Sequence, residues 1–146
     1  MKIMLDPGVV KMPTRAHEPD SGLDLYSRET KIVPAHGSAI FDTGVHIELP
    51  TITIGDQMFY TTGFIKSKSG LSMNKNISAE GGVIDVGYVG SIRVKLFNHG
   101  DEDYEFCVGD KITQLVVLPI LTPSLELVDK LEDTERGDGG FGSTGR

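Results

Sequence analysis

Helical periodicity is almost absent from these 146 residues, and that absence limits the fold more than any other feature. Apolar side chains instead recur at every second position or fill short runs between turns. Residues 91–98 place Ile92, Val94 and Leu96 on one parity and Arg93 and Lys95 on the other. A period of two predicts a strand with one buried face. Residues 38–49 and 51–65 are rich in Thr, Ile, Val, Phe and Tyr, which suit a pleated surface. Pro50 between them predicts a turn rather than one long strand. Residues 111–120 read as a further strand, apolar on both faces toward its end. Turns are expected at Pro34-Ala35-His36-Gly37 and Asn98-His99-Gly100-Asp101. The best helical candidate, residues 70–75, spans only a turn or two. Many short strands cut by Gly, Pro and Asn predict an all-β subunit, a jelly-roll-like β-barrel or double sheet.

Charge and composition exclude several classes of function. A formal net charge of −7 argues against nucleic-acid binding, which neutralises many phosphates with Lys and Arg. It leaves room for a small anion held by a few local cations, backbone N–H groups and a metal. No apolar run approaches the ~20 residues of a membrane-spanning helix. The start, Met1-Lys2-Ile3-Met4-Leu5-Asp6, lacks the apolar core of a secretory signal, so a cytoplasmic location is expected. Cys107 is the only cysteine, which removes intrachain disulfides and cysteine-based zinc clusters. Its apolar setting predicts a buried, inert thiol within a strand.

Five polar or glycine-rich islands interrupt the strands. They are residues 20–26, 66–72, 81–90, 109–114 and 136–145. Lys68-Ser69-Gly70 offers a cation, a hydroxyl and backbone N–H groups, the donors that a phosphate needs. The tetrapeptide Lys68-Ser69-Gly70-Leu71 would also serve as an ordinary helix start. Asp85 alone would read as a solvated hairpin carboxylate, and Asp24 and Gln114 as turn and strand polar residues. Residues 134–146 contain five glycines and one large apolar side chain, Phe141. Such a tail cannot build a core and is expected to move until a ligand orders it.

Together and in this order, the islands resemble the trimeric dUTPase family from about residue 20 to the end. Gly82-Val83-Ile84-Asp85-x-x-Tyr88-x-Gly90 is similar to that family's nucleoside-binding hairpin. Arg136-Gly137-x-Gly139-Gly140-Phe141-Gly142-Ser143-Thr144-Gly145 is similar to its C-terminal arm. Thr43-Gly44-Val45 followed by Leu49-Pro50 also fits the family pattern.

The resemblance implies a magnesium-dependent homotrimer that cleaves dUTP to dUMP and pyrophosphate. That activity limits uracil incorporation into DNA and supplies dUMP for thymidylate synthesis. It implies a β core at residues 1–135 and a flexible arm at 136–146 that closes as a lid. Asp85 would activate the attacking water as general base. The hairpin from Glu80 through Gly82, Val83 and Ile84 to Tyr88 would read uracil with main-chain groups, and Tyr88 would lie under the deoxyribose. Cytosine would fail by mismatched donors and acceptors, thymine by its methyl group. Side chains at Gly81 and Gly82 would obstruct the base. Lys68, Ser69, Gly70 and Gln114 would contact the phosphates. Asp24 would act near Mg2+ through metal-bound waters, since magnesium retains water and is usually carried by substrate phosphates. Arg136, Gly142, Ser143 and Thr144 would close on the γ-phosphate, and Phe141 would stack on uracil.

Three positions depart from the family. Lys68 and Lys111 stand where Arg is common, which keeps the charge and loses the bidentate fork. Val89 stands where Arg often follows the tyrosine. None of these removes a proton-transfer group. Two enzyme readings and two binding or structural ones share the fold: dUTPase, dCTP deaminase, a non-catalytic nucleotide-binding module and a capsid-like jelly roll. The hairpin ending in Asp85 favours the first, because a deaminase would need a glutamate base.

Overall fold

A computed structural model describes residues 1–140, and among these the only helix is one short segment of about two turns. The strands are β1 (Lys2–Leu5), β2 (Gly22–Tyr26), β3 (Lys31–Val33), β4 (Ser38–Asp42), β5 (Val45–Glu48), β6 (Ile52–Ile54) and β7 (Gln57–Lys66). Helix α1 (Ser69–Lys75) follows, then β8 (Ile77–Glu80), β9 (Val83–Ile84), β10 (Arg93–Asn98), β11 (Tyr104–Phe106) and β12 (Lys111–Ile120). The largest sheet runs β2-β12-β7-β6, with β9 added against β7. A second runs β4-β10-β8, and β1-β5 and β3-β11 form two-stranded ribbons. Every pairing is antiparallel. This is the jelly-roll-like, double-sheet architecture that the alternating pattern predicts.

One core joins the sheets. Leu25, Ile65 and Leu115 of the large sheet cluster with Phe41, Val94 and Leu96 of the second. Phe106 meets Phe41 edge-on, ring centroids 5.6 Å apart, a favoured aromatic geometry. In β10 the pattern holds residue by residue: Val94, Leu96 and Asn98 are buried while Arg93 and Lys95 face out. Asn98 tolerates burial because its amide donates to the Val33 and Glu102 carbonyls and accepts from the Gly100 N–H.

Three local expectations need correction. The segment 38–49 is two strands, broken where Gly44 takes φ 65°. The segment 51–65 is likewise a hairpin, turned at Gly55-Asp56. Cys107 is exposed rather than buried. β11 ends at Phe106, which takes the inward parity, and Cys107 opens a turn in which its N–H donates to Asp110 Oδ2 at 2.8 Å.

Helix α1 begins one residue before the expected span and ends as Asn76 adopts a left-handed φ of 55°, its N–H capping Leu71 O. Asn is among the few side chains that accept that conformation. Lys75 in the last turn complements the helix dipole. No helix of the described residues is long and apolar enough to cross a membrane.

β7 organises the large sheet, with β12 on one edge and β9 on the other. Gly63 is the point of closest approach. A methyl group there would lie 2.9 Å from Leu115 Cδ1 and 3.2 Å from Ile84 Cβ. Gly63→Ala is therefore expected to cost about 1–3 kcal/mol by overpacking. A lower urea midpoint at unchanged m-value would record it; an unchanged midpoint would mean that β9 shifts freely.

Candidate functional site

Strand pairing brings three of the islands together. Asp24 on β2 pairs with Gln114 on β12, and Gln114 pairs with Lys66 at the end of β7. The chain continues from β7 through Ser67 to Lys68, which precedes α1. Gln114 Nε2 donates to Ser67 O at 3.0 Å, which fastens that connection to the sheet. Ser69 and Gly70, the first residues of α1, are exposed beside it, and no atom lies within 4 Å of a side chain placed at Gly70.

Asp24 is 5% exposed and is the electrostatic centre of this cluster. Lys68 Nζ bonds its Oδ1, and Lys111 Nζ lies 2.6 Å from its Oδ2. Burial opposes the carboxylate charge, but hydrogen bonds and positive charge from Lys111 and Lys68 outweigh it, so the pKa is lowered. The same contact raises the pKa of Lys111. Lys111 is thus a site residue that sequence reading treated only as a substitution. Its signal was the cation beside Gln114 in the fourth island, and its geometry depends on a bulge between Lys111 and Thr113.

The hairpin carrying Asp85 lies elsewhere. Val83 and Ile84 pair with Phe64 and Gly63 of β7, and Thr62 Oγ1 donates to Ile84 O at 3.0 Å. Ile84 is buried, which leaves Asp85 exposed at the start of a turn closed by Tyr88 N–H to Asp85 O at 3.1 Å. Tyr88 Oη donates to Ser91 O at 3.0 Å. Asp85, Tyr88, Val83 and Ile84 line a pocket of about 250 Å³ with Gly81, Ile92 and Arg93. Arg93 was legible only as an outward strand cation. Asp24, Lys68, Ser69 and Gln114 are not part of this lining.

Glycines 81 and 82 are required for different reasons. A side chain at Gly81 would meet Ile65 Cγ1 at 2.7 Å and Arg93 O at 3.1 Å, while Gly82 holds φ 67° in open space. Glu80 is exposed at the end of β8, opposite Lys95. It neighbours a second hollow of about 400 Å³ that Gly82 and Val83 share with Lys66 and Ser67. Arg136 is exposed and turns onto its own segment, with Nε donating to Gly139 O at 3.0 Å. The expected contacts of Phe141, Gly142, Ser143 and Thr144 lie outside the described residues. No group of three or more His, Cys, Asp or Glu side chains among the described residues could cage a metal.

Because the pKa of Asp24 is depressed on folding, its contribution to stability is present at neutral pH and lost as pH falls through the folded value. Asp24→Asn is expected to unfold at lower urea than wild type at pH 7. The gap should close below the ordinary carboxylate range. A gap that stayed constant with pH would show that the lysine pairs contribute nothing.

Comparison with known proteins agrees with this geometry. The dUTPase family model matches residues 9–145. The deoxyuridine 5'-triphosphate nucleotidohydrolase of Candida albicans is 40% identical over 148 residues, covering 100% of this chain and 88% of the relative. That of Alkaliphilus metalliredigens is 40% identical over 147 residues, covering 99% and 96%. Among solved structures, the dUTPase of Staphylococcus bacteriophage 80alpha with dUpNHpp superposes with a TM-score of 0.86 at 29% identity, covering 99% of this chain and 98% of that one. A mutant dUTPase of phage phi11 of S. aureus, described for its coordination of a structural Mg(II) ion, gives a TM-score of 0.76 at 27% identity, covering 90% and 98%. With a family match along nearly its whole length, the chain belongs to the dUTPase family.

Proposed function

We propose that this protein hydrolyses dUTP to dUMP and pyrophosphate, with Asp85 activating water for attack at the α-phosphorus. The observation that carries the assignment of roles is the separation of two half-sites. By the β7–β9 register Asp85 falls opposite Thr62, four residues before Lys66. At ~3.3 Å per residue that is roughly 13 Å along the strand. Such a separation disfavours both groups meeting adjacent phosphates within one chain. A second copy that supplies its hairpin to this copy's Asp24–Lys68–Gln114 cluster removes the difficulty, and a homotrimer of the family's kind fits that need.

Each half then has a stated task. Lys68 and the N–H groups of Ser69 and Gly70 bind phosphate oxygens, with Gln114 fixing the loop that presents them. The Asp85–Tyr88 hairpin holds uracil and sugar: Glu80, Gly82, Val83 and Ile84 frame the base, and Tyr88 supports the deoxyribose. Asp85, exposed at the hairpin crest, accepts the proton of the attacking water. Arg136, Gly142, Ser143 and Thr144 close over the γ-phosphate, and Phe141 covers uracil and excludes water. Residues 1–135 are the core and 136–146 the lid.

Magnesium suits this donor set. One ionised carboxylate, Asp24, lies beside the phosphate-binding groups, and the described residues offer no all-protein cage. Such a site takes an ion that arrives with the triphosphate and keeps its waters, with Asp24 accepting from them. The ion would neutralise phosphate charge, which a chain of net charge −7 cannot do with a few lysines alone.

A pyrophosphate-release assay across dUTP, dCTP, dTTP and UTP tests the reaction, and release from dUTP alone is expected. Asp85→Asn keeps the pocket's shape but cannot take the proton, so kcat should fall ~10²–10⁴-fold at similar dUTP affinity. Retention of half the wild-type turnover would remove Asp85 from the role. Deleting residues 136–146 should leave melting temperature and assembly nearly unchanged and lower turnover roughly 10²-fold through lost positioning. A large drop in melting temperature would make the segment structural instead.

A further inference from the structure

His46 on β5 sits between two acceptors. Its Nδ1 lies 2.8 Å from the Val89 carbonyl oxygen and its Nε2 3.0 Å from Asp6 Oδ1, with the side chain 18% exposed. A neutral imidazole carries one N–H. The carbonyl has no proton to give. Asp6 also receives Arg28 Nη1 at 3.1 Å, as a carboxylate does. Both contacts are hydrogen bonds together only when the ring is the doubly protonated cation.

What the ring holds is the substrate loop. Before it, Ile84 is secured to β7 by pairing and by Thr62. After it, the Ser91 hydroxyl donates to Asp42, and Ile92 N–H donates to Val45 O at 2.8 Å. Between these anchors residues 85–89 are exposed. The Val89 carbonyl is next to Tyr88, and His46 ties it to the barrel.

We propose that charged His46 is a positioning residue that clamps the Tyr88 side of the substrate loop, so that dUTP affinity falls when the ring loses its proton. The inference rests on the reading that Tyr88 supports the sugar. Asp85 adjoins the independently anchored Ile84, so the clamp acts on binding more than on the chemical step.

The surrounding charges set the direction. Asp6 follows β1, Asp42 lies on β4, and Arg28 bridges them, 3.1 Å from Asp6 and 3.0 Å from Asp42. Lys2 and Glu48 pair with each other and line the same groove as His46 and Val89. The bond to Val89 O, opposed by burial and aided by Asp6 and Asp42, raises the His46 pKa. For a raised pKa the interaction is complete at low pH and is lost as pH rises through the folded value. The neutral ring keeps its one N–H for Asp6, the charge-assisted partner, and Val89 is released.

The test is KM and kcat for dUTP from pH 5.5 to 8.5 in the whole protein, for wild type and for His46→Gln. Ionisation of the triphosphate is common to both and cancels in the ratio. Wild-type KM is expected to be about three- to tenfold lower than the variant's at low pH. The two should converge at high pH, with kcat alike throughout. Asp6→Asn should move the convergence to lower pH. A pH-independent KM ratio, or a loss confined to kcat, would overturn the proposal. Imidazole nitrogen shifts in substrate-free protein give a separate reading. A singly protonated ring at pH 6 would overturn the clamp whatever the enzyme does, whereas a charged ring in a protein inactive on dUTP would instead sink the proposed function.

Discussion

Both halves of the site depend on the backbone hydrogen bonds of one strand. β7 pairs with β12 along Tyr60–Lys66 and with β9 at Gly63 and Phe64, on its opposite edge. Its end runs directly into Ser67 and Lys68, so the groups proposed to bind phosphate are a continuation of the strand. The hairpin proposed to bind the base hangs from its other edge. Gly63 lets both neighbours close on the same residue, and β7 thereby fixes the positions of Asp85 and Lys68 in one rigid frame. Rigidity is what positional catalysis requires. The same frame holds them apart within one chain, and the proposed assembly of copies would answer that separation.

Charge is managed locally against an unfavourable total. A chain of net charge −7 repels a triphosphate at long range. Near the site the balance reverses: Lys68 and Lys111 converge on a single carboxylate. In the free protein Asp24 satisfies both ammonium groups, which would otherwise crowd each other. On the proposed reading an arriving triphosphate would compete for Lys68. Its ammonium on a flexible stem would turn from carboxylate to phosphate, where a guanidinium held bidentate would give up two bonds at once.

Much of the fold was legible because two-residue periodicity is a local signal. The parity of β10 follows directly from it, and the bounds of β12 follow from its apolar run. Gly44 and Gly55 were harder, since a glycine within a strand-like run reads as a bulge as readily as a break. Cys107 misled because its neighbours are apolar, and parity is lost where β11 stops after three residues. The site was legible as motifs and illegible as contacts. Lys68 and Lys111 lie 44 and 87 positions along the chain from Asp24, and only the β2–β12–β7 register with its bulge brings them together. Sequence order likewise could not reveal that the hairpin and the cation cluster occupy opposite edges of β7.

Val89 shows how far a departure from a motif can be misread when only side chains are counted. The family's frequent arginine at this position suggests a lost contact. In this structure the residue's useful atom is its carbonyl oxygen, which every residue supplies, and its side chain is exposed. His46, on a different strand, provides the charge that faces the loop. A contact made through the main chain places no constraint on the residue that makes it, whereas its partner must be a ring able to reach both Val89 and Asp6. In this chain the side chain that the contact requires therefore stands on the barrel wall rather than in the loop.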